Sequence, residues 1–355
     1  MLRIAAVFLA AVCTCFAGIS GSAQTASANN VPPPKKTNPG IFGLQLSRDG
    51  QTIVTGNFNG TVKIWDVKTG RVSRTLDGHT DVVYKGVLNP NEKLLASCSR
   101  DGKIKIWEVS SGRELRTLAG HTRPVKAVAF SPNGKLLASS SNDGTVRVWN
   151  VATGEQVHSF VHTKSPEVDR SVYSVLFLSP GTIAAANGDA TISYWEIATG
   201  KETKSLKGHT AAVFCLALST DGQSLVSGGY DHLVKLWDVK SGNEIRTYAQ
   251  IKRAGVDEQV RAIALSPNGK WLVSSDVGAT SNGGQIQYVY KRVNIWNVQT
   301  GQLKLILDQP GLEINGLAIG PDNLTLAAAG ADGIITLWNL RSGDRERSFS
   351  QPKGN

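Results

Sequence analysis

The chain has 355 residues, of which 41% are apolar and 19% charged, with a formal net charge of +10. This is an ordinary globular mixture, and past the first 28 residues no apolar run reaches the ~18 residues of a membrane-crossing helix. The cations are scattered singly, with no run of five or more, so the basic balance reads as a solvated surface and no nucleic-acid partner is expected.

Residues 1–28 are laid out as a secretory signal peptide: one cation at Arg3, an apolar stretch from Ile4 to about Gly18, then small residues. Cleavage is expected after Ala23 or Ala28, which removes one cation and no acid. A retained membrane anchor is the alternative. A lipid anchor would need a small residue directly before Cys13 or Cys15, where Val12 and Thr14 stand. Export to the periplasm or the medium is therefore expected, with no membrane span after cleavage. Residues 29–40, "NNVPPPKKTNPG", form a Pro-rich linker whose prolines cannot donate to a sheet ladder. The repeats occupy 41–350, and 351–355 are a tail.

From residue 61 one ten-residue phrase recurs: TVKIWDVKTG, KIKIWEVSSG, TVRVWNVATG, TISYWEIATG, LVKLWDVKSG, RVNIWNVQTG and IITLWNLRSG. The tryptophans fall at 65, 107, 149, 195, 237, 296 and 338, with intervals of 42, 42, 46, 42, 59 and 42. A period near 42 indicates a repeat architecture. Within one period "VVYKGVL", "LLASCS", "KIKIWEV" and "ELRTL" alternate as strands, separated by turns at "NPNEK", "RDG" and "SSGR". A four-stranded meander has two apolar faces and cannot bury both alone. Seven such sheets packed radially and closed into a ring bury both faces, giving an all-β, seven-bladed propeller in one domain.

The chain resembles the WD-repeat β-propeller family. The marks are Gly-His, a turn Asp and a strand-ending Trp, seen as Gly78-His79/Asp101/Trp107, Gly120-His121/Asp143/Trp149 and Gly208-His209/Asp231/Trp237. Blade 1 has Asn59 at the turn, blade 7 has Pro310 at the histidine position, and blade 6 lacks both marks; those blades are expected to be less rigid. The resemblance implies that each His, a second-strand Ser, the Asp and the Trp form a buried hydrogen-bond network. His162 and Asp189 are expected to form a looser version. Related propellers often lend an N-terminal strand to the last blade, but here "DRERSFS" can supply blade 7's own outer strand, so closure without exchange is expected. Insertions after His162, around "IKRAGVDE" and around "DVGATSNGGQIQ" fall on loops that open on one face of such propellers.

Cys98 and Cys215 lie three repeats apart, which disfavours a disulfide, and they read as buried thiols. No short-spaced metal-ligand set and no phosphate-cradling loop before a helix is present, so no metal, cofactor or catalytic residue is assigned. The residue after each first-strand anchor varies between blades: Phe42, Tyr84, Lys126, Tyr173, Phe214, Arg261 and Asn315. In the family this position lies near the channel mouth. A second ring precedes the turn residue and includes Phe58, Arg100 and Tyr230. The expected function is a non-enzymatic scaffold for a protein or peptide, with Phe42, Tyr84, Tyr173 and Phe214 as anchors and Arg100, Lys126 and Arg261 favouring acidic groups. An exported polyanion- or polysaccharide-binding propeller is the alternative, and a hydrolase at the channel mouth is a further one.

Overall fold

The computed structural model describes residues 40–162, 168–249, 257–282, 285–308 and 313–350. Strands come in chain order as seven antiparallel sheets. Blade 1 is β1–β4 (41–77), blade 2 β5–β8 (83–118), blade 3 β9–β12 (125–161) and blade 4 β13–β16 (172–207). Blade 5 is β17–β20 (213–249), blade 6 β21–β25 (257–308) and blade 7 β26–β29 (314–350). No helix occurs among the described residues. The chain is thus a seven-bladed β-propeller built of four-stranded blades. In blade 6 the innermost position is divided between β21 (Asp257–Gln259) and β22 (Ile263–Leu265), both paired to β23.

The alternating pattern explains the wedge packing. Inward- and outward-pointing apolar residues of each sheet meet those of its two neighbours. Seven core clusters result, one at each seam. The seven third-strand tryptophans are all buried, Trp65 completely. The last seam is sealed like the others: Ile41, Leu44, Ile53 and Trp65 of blade 1 pack on Ala327, Ala329, Ile335 and Leu337 of blade 7. Strand β29 (Arg345–Ser350) pairs with β28 (Ile334–Asn339) of its own blade, so the four strands of blade 7 all come from 314–350. Residues 25–38, which strand exchange would involve, lie outside the described residues.

Six blades add a peripheral clasp. A cation on the outermost strand reaches carbonyls in the next blade's outer turn: Arg74 to Ser110 and Ser111, Arg116 to Ala152, and Lys204 to Lys240. Arg246 reaches Gln299 and Thr300, Lys304 reaches Leu340 and Arg341, and Arg347 reaches Val67, Lys68 and Thr69. Blade 3 carries His158 at this position, stacked on Phe160 at 5.8 Å.

The insertion around "DVGATSNGGQIQ" does not form an irregular loop. It lengthens β23 (Trp271–Asn282) and β24 (Gln285–Asn297) into a protruding ladder paired out to Asn282 and Gln285. Residues 163–167 and 250–256, and Pro310, lie outside the described residues.

Candidate functional site

The seven first-strand anchors, Ile41, Val83, Val125, Val172, Val213, Val260 and Ile314, are all fully buried. At the next residue the ladder slips. Register shifts flank Phe42, Tyr84, Lys126, Tyr173, Phe214 and Asn315. Arg261 falls in the break between β21 and β22. A bulge residue leaves the pleat and re-aims its side chain. Six bulges and one strand break therefore take the seven non-repeating residues out of the regular ladders, at one level of the ring of innermost strands.

These residues gather into two arcs. In the first, Phe42 meets Tyr84 edge-on at 4.7 Å and Phe58 at 5.7 Å, while the Lys126 ammonium sits 4.1 Å over the Tyr84 ring. In the second, Phe214 lies edge-on to Tyr173 at 5.0 Å and to Tyr230 at 6.1 Å, and the Tyr173 hydroxyl donates to Asp169 Oδ2 at 2.8 Å. Phe58 and Tyr84 are 8% and 9% exposed, so their rings serve mainly as floor. Phe42, Tyr173, Phe214 and Tyr230 are half-buried and keep surface to offer.

The cations are less free than their type suggests. Arg261 pairs with Glu313 at 2.5 Å, and Arg100 lies 3.6 Å from Asp81. Neither acid was singled out from the sequence, although each lies within two residues of a first-strand anchor. Lys85 was also missed. It follows the bulge, where other blades have Gly43, Ala127, Ser174, Cys215, Ala262 and Gly316. Burial holds its amine below the ordinary lysine range. Cys98 and Cys215 are free thiols, each pushed up to about 12 by burial, which leaves them protonated and unreactive.

Apart from the bulge ring, three blades each hold a four-residue chain of hydrogen bonds. In blade 2, Trp107 Nε1 donates to Ser97 Oγ at 2.8 Å, Ser97 meets His79 Nε2 at 2.8 Å, and His79 Nδ1 meets Asp101 at 2.8 Å. Blade 3 repeats this with Trp149, Ser139, His121 and Asp143. Blade 5 does so with Trp237, Ser227, His209 and Asp231. Every group is satisfied if the imidazole is neutral, with Nδ1–H donating to Asp and Nε2 accepting from Ser. For His121, burial depresses the pKa against the pull of Asp143. For Asp143, burial is outweighed by His121, the Thr145 hydroxyl and the Thr122 amide, which hold its carboxyl well below the usual range.

Ser, His and Asp in this connectivity are the parts of a hydrolytic triad. Here the would-be nucleophiles Ser97, Ser139 and Ser227 are fully buried, and each oxygen accepts an indole N–H. A substrate carbonyl has no approach, so the arrangement staples strands together. The remaining blades have parts of it. Blade 4 has Ala185 in place of the serine, and His162 Nε2 lies 3.0 Å from Asp189 without a well-directed hydrogen bond. In blade 7 Trp338 Nε1 is buried without a partner. Among the described residues no cluster of three or more potential metal ligands occurs.

The family profile described as "WD40: WD domain, G-beta repeat" matches residues 34–66, 70–108, 112–150, 200–238, 250–285 and 301–339. The stretch it passes over contains most of blade 4. Similar curated proteins include the target of rapamycin complex subunit LST8 of Rattus norvegicus, 26% identical over 39% of this chain and 38% of that protein. The small ribosomal subunit protein RACK1 of Candida albicans is 28% identical over 38% of each chain. A periodic tryptophan protein 2 homolog of Dictyostelium discoideum is 30% identical over 41% of this chain and 19% of that protein. The chain spans between about a fifth and two-fifths of the length of these relatives.

Proposed function

The chain belongs to the WD40 repeat family, and from that premise we propose that it is a non-enzymatic, exported platform that holds a protein or peptide segment at its channel mouth. The observation that carries this reading is the run of bulges at one level of the innermost strands. They turn out four aromatics, Lys126 and Asn315 where the surrounding strands repeat, and the break between β21 and β22 adds Arg261. Half-buried rings with their own neighbours to rest on lose little freedom on binding, which suits them as anchors. Phe42 in one arc and Tyr173, Phe214 and Tyr230 in the other are those anchors. Lys126, with no carboxylate partner among the described residues, draws an acidic or C-terminal group between them. Two similar proteins are named as a complex subunit and a ribosomal subunit protein, which accords with a life spent in assemblies. The inaccessible serines and tied imidazoles speak against hydrolysis.

The paired variant Phe42→Ala with Phe214→Ala tests the site. Partners captured from the native extracytoplasmic fraction should be depleted about tenfold or more, the scale of hot-spot loss, while the melting temperature changes little. Undiminished capture by the folded variant would refute the mouth assignment. N-terminal sequencing of the native protein tests export independently: a start at residue 24 or 29 is expected, and an intact Met1 in the cytosol overturns it.

A further inference from the structure

Trp271 is the eighth tryptophan and the one outside the repeat phrase. It opens the second strand of blade 6, where the other blades carry Thr52, Leu94, Leu136, Thr182, Ser224 and Thr325. Leu94 and Leu136 pack at their own seams from this position, so an indole is larger than the seam requires. Trp271 packs against the core between blades 6 and 7 and remains half-buried. Its exposed part borders a pocket of about 320 Å³ between these blades, the size of a small-molecule site.

The pocket has the chemistry of a site as well as the space. Lys270 and Arg341 line it, exposed and without carboxylate partners among the described residues. Lys304 stands 4.3 Å over the Trp271 ring and is tied to the carbonyls of Leu340 and Arg341. The floor is fixed across the seam: the Asn323 side-chain oxygen accepts the Asn268 backbone N–H at 2.8 Å. Asn323 holds a φ of 59°, the left-handed conformation that the same turn takes at Gly50, Glu92, Gly134, Gly222 and Gly269, so its side chain is presented from a turn set by the repeat. The pocket is therefore shaped before any ligand arrives.

We propose that this seam pocket binds a carboxylated sugar. The part of the indole left open beside the Lys304 ammonium offers an apolar surface for C–H groups of a pyranose ring. Lys270 and Arg341 take the carboxylate, and the Asn268 side-chain amide, whose oxygen is already held by Ser266 and Lys270, donates an N–H to a hydroxyl. A nucleotide fits less well. The Lys304 ammonium occupies the indole face on which a base would stack. The Asp322 carboxylate lines the same pocket and stays ionised, held by Thr325 and the Leu324 amide, so it opposes a close-packed phosphate dianion. The site lies away from the bulge ring, and its occupancy does not depend on the mouth.

The repeat supplies substitutions that its own fold tolerates. Trp271→Leu installs the residue of blades 2 and 3, Lys270→Gln that of blades 1 and 5, and Arg341→Ala that of blades 3 and 4. Calorimetric titration of the full chain with trigalacturonate should show binding that weakens about tenfold or more in Trp271→Leu and in the Lys270→Gln/Arg341→Ala double variant. The fully methyl-esterified trimer, with the same rings and no charge, should bind at least about tenfold more weakly than the acid. Equal binding by the variants, equal binding of the ester, tighter binding of inorganic phosphate or AMP, or no binding up to millimolar concentrations would each overturn the proposal. Arg341 lies in an exposed turn, so its variant reports on the pocket even if Trp271→Leu fails to fold.

Discussion

Blades 3 and 4 are neighbours with the same four strands in equivalent register, Ser139 opposite Arg147 in one and Ala185 opposite Ser193 in the other. In blade 3 the indole, hydroxyl, imidazole and carboxylate form one continuous chain of donors and acceptors. In blade 4 the hydroxyl is gone, and Trp195 stacks on Phe160 of blade 3 at 5.8 Å. Asn187 takes over part of the wiring by donating to Ser193 and Thr191. The blade folds the same way. Wedge formation therefore rests on the apolar alternation, and the polar chain adds rigidity to a sheet already specified.

The largest effect should come from cutting that chain at its carboxylate. Asp143→Ala strands the buried His121 imidazole together with the Thr122 and Thr145 amides, and should cost about 3 kcal/mol. Asp189→Ala in blade 4 should cost about 1 kcal/mol, because its histidine is poorly engaged. Urea unfolding of the two variants measures the difference, and equal losses would break the comparison. A smaller contrast concerns the indoles. Trp107→Phe leaves Ser97 without its donor, whereas Trp338→Phe deletes an N–H that has no partner. After the shared loss of ring volume, the blade 2 variant should be the less stable by about 1 kcal/mol in the same assay.

The smallest effect is in pH. Because the folded pKa of His121 lies below its ordinary value of 6.5, the unfolded chain takes up that proton first. Stability should therefore fall as pH drops below about 6.5, and His121→Gln should flatten this part of the profile between about pH 7.5 and about pH 5.5. Asp143 behaves oppositely in range. Its depressed pKa keeps its contribution present above the ordinary carboxylate value and loses it only as pH falls further, through the folded pKa. A slope unchanged in His121→Gln would mean that the imidazole is not neutral in the folded state.

The number of blades and the strands within them were legible because each Trp and each turn glycine recurs in phase, and a seam cannot be buried with any phase broken. The variable positions could be located by counting from the anchors. Their re-aiming by bulges could not, because a one-residue slip in a ladder leaves no compositional trace. The partners of Arg100 and Arg261 were hidden for a different reason: Asp81 lies 19 residues from one and Glu313 lies 52 residues from the other. Trp271 was in plain sight but belonged to no pattern, and only the cleft beside it gives the extra ring a use. Blade 6, with its marks missing, still provides a Trp296 indole donating to Ser274 at 3.0 Å, so the loss of the histidine does not unseat the tryptophan.

The join between blades 7 and 1 has a mechanical consequence. Among the described residues no strand of blade 1 pairs with the last sheet, so a force that draws blade 1 away from blade 7 is not resisted by a zipper of backbone bonds between those two sheets. It falls on side-chain contacts, chiefly the wedge around Trp65 and the Arg347 grip on the facing turn. Strained there, the ring should open at that joint with the first and the last sheet each staying whole.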